Sequence, residues 1–518
     1  MRKVNMSIRK SLAAAAAVAV LALTACSGGG GGSTTSPAGD GSRGDLLRVG
    51  VINDVSSWDP AQAAPSADLL EMERAIYDTL LLTDLEGEVI AGLAEEWAYV
   101  NDERTELELK IREGVTFSDG TALDAEAVKI NLDNFMAGNG PMAAQLGGVQ
   151  AVEAADAQTV RLTLGAPNPA LLFNLTRQAG LIASPAGIES GSIATDPVGT
   201  GPYVLDAASV RGSQYVMTAR EDYWQPDYQM WNSLNFRVLA DPTARANALT
   251  SKQIDVTLVQ PGQIEQVEAQ GAEIATWTAS VMGLILMDRN GAMAPELEDV
   301  RVRQAINHAF DRDLILEQAG KGLGEKTAQL FGTGTTAYVE ELDEAYPYDP
   351  EKARALLAEA GYADGFTVPM AFAPPGEFVA PFITQQLGDI GITVEKVSIT
   401  PQQFSSSISG GEYAMGWTVQ GLDPAWVTVQ RNILPESAYN PFGTTNDDVA
   451  ALIDQTRNAG DADDAGEELN RYLVDNAWFA PWYRVGASYA YNPDVVSEIR
   501  NIVDYSSVPL LFGYVPAK

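Results

Sequence analysis

The stretch "LELKIREGVTFSDGTALDAEAVKINLDNF", Leu107 to Phe135, changes its periodicity half-way along. Leu107, Leu109 and Ile111 alternate with Glu108 and Lys110, the period of a half-exposed strand. Ser118, Asp119 and Gly120 then supply turn residues. Past Asp124 the apolar positions move to Val128, Leu132 and Phe135, the spacing of one helix face, and Asp124 stands where its side chain can cap that helix. Strand, turn and amphipathic helix follow one another so closely that each must bury its apolar side against the other, which predicts mixed α/β layers.

The same alternation extends outward. "TVRLTL", Thr159 to Leu164, predicts another half-exposed strand, and "LLRVGVIND", Leu46 to Asp54, a buried first one. "SADLLEMERAIYDTLLLTD" predicts a helix with Leu69, Met72, Ala75, Ile76 and Leu80 on one face. "DVRVRQAINHAFDRDLI" predicts a second, with Val302, Ile306, Ala309 and Phe310 together. "YDPEKARALLAEAGY" predicts a third, with Asp349 as N-cap, Pro350 in the first turn and Gly361 as stop. No repeat of solenoid period is present. The chain of 518 residues, 46% apolar, is long enough for two or three domains. Gly and Pro interrupt the periodic segments between Met287 and Asp299, which suits a boundary.

The amino-terminal residues read differently. Arg2, Lys3, Arg9 and Lys10 precede the apolar run Leu12 to Ala25, the pattern of a signal peptide over residues 1–25. Leu23-Thr24-Ala25-Cys26 is similar to a bacterial lipobox, in which the chain is cut before the cysteine and the cysteine carries lipid. An ordinary secretion signal with an incidental cysteine is the other reading; both take the chain out of the cytoplasm. Cys26 is the only cysteine, so no internal disulfide exists. "SGGGGGSTTSPAGDGSRGD", Ser27 to Asp45, has no apolar periodicity and predicts, with Cys26, a flexible linker over residues 26–45.

With 69 acidic against 33 basic residues and a net charge of −36, the chain lacks the basic footprint of a nucleic-acid-binding protein, and charge would not hold it on an anionic lipid surface. The acidity keeps it soluble and self-repelling, so a monomer is expected. No later segment is long and apolar enough to span a bilayer.

The signals of catalysis fail. His308 is the only histidine, so a two-histidine zinc motif is impossible and a serine triad would depend on that one residue. His308 lies in "AINHAF", one position off the apolar stripe, where a surface or packing role is expected. There is no GxSxG or GxxxxGK[ST], and "GTGTTA", Gly332 to Ala337, follows no clear strand and reads as a loop. Neither metal nor cofactor is expected. Recognition is better served: "YAMGWTVQGLDPAWVTVQRNILPESAYNPFG", Tyr413 to Gly443, carries Trp417, Trp426 and Tyr439 with Gln420 and Asp423 among them. Asp423 can meet a ligand cation or cap the helix beginning at Pro424, and the two roles can coexist.

Several segments together resemble the family 5 extracellular solute-binding proteins, the dipeptide and oligopeptide receptors of ABC importers. The stretch Leu107 to Phe135 is similar to the family signature, with Ser118 where a histidine is usual and Ala127 where an aspartate is usual. "DPVGTGPYVL", Asp196 to Leu205, matches closely. "REDYWQPDYQMWNSLNFRVLADPTARANALTSKQIDV" matches a further block, with Lys252-Gln253 where a glycine is common. The third and second predicted helices match two more, so the likeness runs in order along the chain.

The resemblance implies a two-lobed, type II periplasmic-binding-protein fold of the α/β class with an extra subdomain in lobe I. Lobe I would span residues 46–281 and 490–518, the subdomain about 85–194, and lobe II 282–489, with chain crossings near "MGLILMD" and "GASYAYN". It implies a lipid-anchored receptor on the outer face of the cell membrane, passing a small solute, foremost a peptide, to the permease subunits of an ABC importer by closing its cleft. A metal chelate, opine or sugar is the alternative ligand. In peptide-binding members an aspartate at the position of Asp423 holds the α-amino group. Trp58 would line the cleft mouth or serve packing. Arg431 is a candidate for a ligand carboxylate, with a helix-surface role favoured. Two other classes remain: an extracellular hydrolase, which would need His308, and a surface scaffold, which would show repeats or large exposed apolar patches.

Overall fold

The computed structural model describes residues 43–518 apart from 65, 375, 436, 460–462 and 502–507. Cys26, the signal segment and the linker up to residue 42 lie outside the described residues.

The described residues form one nine-stranded mixed sheet and four smaller sheets. Along the main sheet the order is Met415–Gly421, Glu273–Leu286, Phe479–Tyr491, Val256–Val259, Gly44–Val51, Trp231–Val238, Gln214–Ala219 and Tyr203–Leu205, with Gly324–Lys326 also paired to Phe479–Tyr491. The first strand is parallel to both its neighbours and fully buried over Val49 to Val51. It begins at Gly44 rather than Leu46, so Gly44 and Asp45 belong to the sheet and not to the linker. Gly44 lies opposite Trp231, and a Cβ there would come within 2.3 Å of the indole, which only glycine avoids.

The Leu107–Phe135 unit forms as its periodicity predicts. Glu106–Ile111 and Thr159–Leu164 are the two inner strands of a four-stranded antiparallel sheet. Gly120 closes the turn at φ +84° by donating to Phe117 O at 2.9 Å. The Asp124 carboxylate accepts from Ala127 N at 2.9 Å, and Val128, Leu132 and Phe135 of helix Ala125–Ala137 pack on the sheet.

Two predicted helices are shorter than expected. The first ends at Ile76, and Leu80 lies beyond it, next to a strand Leu81–Thr83 paired to Val89–Ala91. Its buried face also carries Asp68 and Glu71, which accept hydrogen bonds from the main-chain N–H groups of Ile52, Asn53 and Leu511. These partners offset the cost of burying the carboxylates. The second divides into Val300–Ala309 and Arg312–Gln318, because Phe310 is extended and Asp311 accepts from Leu314 N at 2.9 Å, starting a new helix. The third, Pro350–Glu359, is capped by Asp349, and Gly361 past its end adopts φ +96°.

Separate apolar cores surround the main sheet. One gathers Leu47, Trp58, Met72, Trp231 and Tyr489; another Leu109, Phe117, Leu132 and Leu162; a third Leu286, Phe310, Ile383 and Trp482. The antiparallel pair Glu273–Leu286 and Phe479–Tyr491 runs from the first core to the third: Trp277 stacks on Tyr489 at one end, while Leu284 lies opposite Ala480 at the other. Register irregularities fall between Thr278 and Ser280 and between Met282 and Gly283, mid-way along.

Candidate functional site

A cavity of about 760 Å³ opens where these cores meet, a size in the range of small-molecule clefts. One wall comes from Ser66, Ala67 and Leu70 at the start of the first helix. A second comes from Met142, Gln145, Phe173, Arg177 and Gln178 beside the four-stranded sheet. The facing wall is the end of strand Met415–Gly421 and the helix Ala425–Asn432, with Tyr439 beyond it, while Ala279 and Ser280 of the long strand form the floor.

The strand-to-helix turn fixes the facing wall. Strand pairing holds Gln420 against Val281 and Gly421 against Ser280. Pro424 occupies the N-cap of the next helix, where no side chain caps it. Asp423 therefore does not cap: its carboxylate, 6% exposed, forms an ion pair with the Arg431 guanidinium two turns along. The nearby Asp423 charge raises the Arg431 pKa, against the opposing effect of burial. Arg431 thus belongs to the cavity wall and not to the outer surface of the helix. Gln420, 5% exposed, has no partner for its Nε2 among the described residues, and Ser437 Oγ is likewise unpaired.

The second wall is built by side-chain amides. Gln145 donates to Gln178 Oε1 at 3.0 Å and accepts from Ala179 N at 2.9 Å, and Asn174 donates to Gln145 O at 2.9 Å. The tight turn that presents Arg177 passes through Gly180, where a Cβ would lie 1.8 Å from Leu175 O. The Arg177 guanidinium stands over the Phe173 ring at 5.1 Å, and burial lowers its pKa. Nothing in "FNLTRQAG" distinguishes it from a solvent-facing arginine.

Of the six ligand residues expected from sequence, the structure brings Asp423, Gln420 and Tyr439 to the cavity. The three tryptophans lie elsewhere. Trp58, 4% exposed, meets Tyr215 edge-on at 5.5 Å, and its carbonyl accepts from the Tyr77 hydroxyl at 2.9 Å. Trp417 packs on Phe404 and over Gly376, and Trp426 lies under Arg457 within a core. Indole rings bury the largest area wherever a core is available: Trp58 and Trp426 are core residues, and Trp417 packs, partly buried, against a core. His308 is also a packing residue, edge-on to Tyr346 with Nδ1 2.8 Å from Pro347 O.

A family model described as bacterial extracellular solute-binding proteins, family 5, middle, matches residues 88–438, which include most of the residues that line this cavity. The chain belongs to that family. Its members are transport receptors of ABC importers, not enzymes, and work with permease subunits. The glutathione-binding protein GsiB of Escherichia coli strain K12 is 28% identical over 369 residues, 68% of this chain and 71% of GsiB. Among solved structures, the periplasmic binding protein AgaA of A. tumefacien R10 in complex with agropinic acid superposes with a TM-score of 0.77 at 22% identity, over 91% of this chain and 98% of AgaA. DppA from Helicobacter pylori in complex with the peptide STSA gives 0.77 at 21% identity, over 92% and 99%. These likenesses establish the two-lobed α/β fold of periplasmic binding proteins.

Proposed function

We propose that this chain is an extracytoplasmic, lipid-anchored receptor that takes a short peptide into the cavity and delivers it to its importer. The observation that carries the reading is the cavity itself: about 760 Å³, lined by residues of several elements, with the Asp423 acid among them. Asp423 Oδ2 is engaged by Arg431, while a carboxylate has further lone pairs for a ligand ammonium. The receptors that GsiB, DppA and AgaA exemplify bind glutathione, a peptide and an opine, which supports a small polar solute.

In this reading lobe I comprises residues 46–281 and 490–518, with a subdomain over about 85–194, and lobe II residues 282–489. The long strands Glu273–Leu286 and Phe479–Tyr491 act as the hinge, their irregular register at mid-length supporting a bend there. Cys26 carries the lipid and the glycine-rich residues after it form the leash. Calorimetric titration of the chain from Cys26 onward with tri-alanine and glutathione tests the ligand class. One-to-one binding that weakens in Asp423→Asn is expected. Absence of peptide binding, together with binding of an opine or sugar that Asp423→Ala leaves intact, overturns the peptide assignment.

A further inference from the structure

The strand Phe479–Tyr491 is paired along one edge with Glu273–Leu286, and two short strands share its other edge. Val256–Val259 covers Ser488 to Tyr491, and Gly324–Lys326 covers Tyr483 to Val485. Gly486 and Ala487 lie in the gap between them and, among the described strands, pair only with Thr278 and Trp277. Across from that gap the strand Glu273–Leu286 carries an extra residue, Ala279, between the pairs Thr278–Gly486 and Ser280–Val485. The ladder is therefore thinnest along one line through Ala279, Gly486 and Ala487. Gly486 has no side chain to restrict its backbone, yet a Cβ there would make only ordinary contacts, 3.4 Å from Thr276 and 3.7 Å from Leu323. Crowding does not explain this glycine.

Both sides of this line are locked. On the lobe I side Thr276 Oγ1 and Ser488 Oγ share a hydrogen bond of 3.0 Å, and Trp277 stacks on Tyr489. On the lobe II side the buried Arg484 donates to Asp343 Oδ1 at 3.0 Å and to Oδ2 at 2.7 Å, a two-point match of guanidinium and carboxylate. Glu325, on the short strand itself, adds an ion pair at 3.2 Å. Asp343 is fixed in turn by Thr327 Oγ1 at 2.6 Å and by Gln329 Nε2 and the Tyr338 hydroxyl at 2.8 Å. A buried pair whose remaining lone pairs are satisfied in this way holds its backbone in one arrangement. We infer that Gly486 and Ala487 are the pivot of cleft closure, and that Asp343 is a positioning residue that acts through Arg484 to hold the lobe II side of the pivot. Ala279 and Ser280 also form the floor of the cavity, so rotation about this line moves the floor against the walls.

This inference rests on the receptor reading, and its test uses no solute, so its failure is separate from that of the ligand titration. Val210→Cys and Tyr348→Cys, at exposed positions on lobes I and II, are introduced into the Cys26→Ser chain and spin-labelled. Pulsed electron resonance on the frozen protein gives the distribution of distances between the lobes, and thermal unfolding of each variant is the control. Gly486→Ala fits the folded backbone and should narrow the distribution by about 1.5-fold. Asp343→Asn should broaden it by about twofold, and Asp343→Glu should return part of the parent's width. A merely structural role for Asp343 would lower the unfolding temperature and leave the width as in the parent. That result overturns the inference, as does an unchanged width in Gly486→Ala. Should Asp343→Asn fail to fold, Arg484→Lys, which keeps the charge and loses the two-point match, decides the question. A broader distribution then supports the anchor, and an unchanged one overturns it.

Discussion

The Asp423 carboxylate and the Arg431 guanidinium form an ion pair that spans the strand-to-helix turn and makes up one face of the cleft. The pair joins Asp423, just past the end of the strand Met415–Gly421, to the last turn of the helix Ala425–Asn432, so it fixes the angle between them. Arg431→Met leaves Asp423 nearly buried without its partner, and since Arg431 is itself partly exposed the expected loss is about 1–3 kcal/mol. Asp423→Asn combined with Arg431→Met should cost less than the two single changes added. Urea denaturation of the four proteins measures the coupling, and strictly additive losses would mean that the pair does not hold the turn.

Trp58 is a core residue. Trp58→Ala should destabilise the chain by about 3–5 kcal/mol, through lost contact with Tyr215 and the cavity left behind. Trp58→Phe keeps most of that packing and should leave ligand affinity within about twofold. A large loss of affinity in Trp58→Phe, at undiminished stability, would return this residue to the cleft.

Glu73 gives the fold a pH dependence of definite sign. The side chain is 1% exposed, Oε2 has no partner among the described residues, and burial raises its pKa to about 8, with Arg74 opposing. The folded state therefore holds the proton where the unfolded chain has released it. The contribution to stability is full below the ordinary glutamate range, declines as pH rises, and is lost above about 8. Glu73→Gln removes this slope. Between pH 5 and pH 8 its stability relative to wild type should improve by on the order of 4 kcal/mol. Chemical denaturation at several pH values reads the difference; parallel curves would show that Glu73 is ionised in the folded chain.

Cys26→Ser should release the chain from the membrane fraction into the soluble fraction and leave solute affinity unchanged. Fractionation followed by calorimetry checks both halves, and a variant that stays with the membrane contradicts the lipid anchor.

The parts legible in the sequence are those with local causes. Alternation, turn and cap placed the Leu107–Phe135 unit, because Asp124, Gly120 and the Val128–Leu132–Phe135 stripe act within a few residues of one another. The start of the first strand was hidden in a glycine-rich stretch, since Gly44 is held by a partner, Trp231, far along the chain. The break at Phe310 was masked by an apolar stripe that continues past it, although Asp311 marks the new cap. At the site, Gln420, Asp423 and Tyr439 share one aromatic and polar stretch and could be picked out together. Arg177 could not, because it reaches the cavity only when a turn beside a different sheet meets that stretch. The tryptophans misled for the converse reason: their large apolar area serves a core as well as a cleft.

The central claim is that solute is held in this cavity. Gly421 lines it, and a Cβ there would meet only the Asp423 carboxylate, at 3.6 Å, so a larger side chain can project into the space without disturbing the strand. Mass spectrometry of small molecules released by denaturing wild type and Gly421→Trp, purified side by side, is the direct measurement. The account predicts a bound solute from wild type and none from Gly421→Trp; the same solute released in equal amount from both would contradict it.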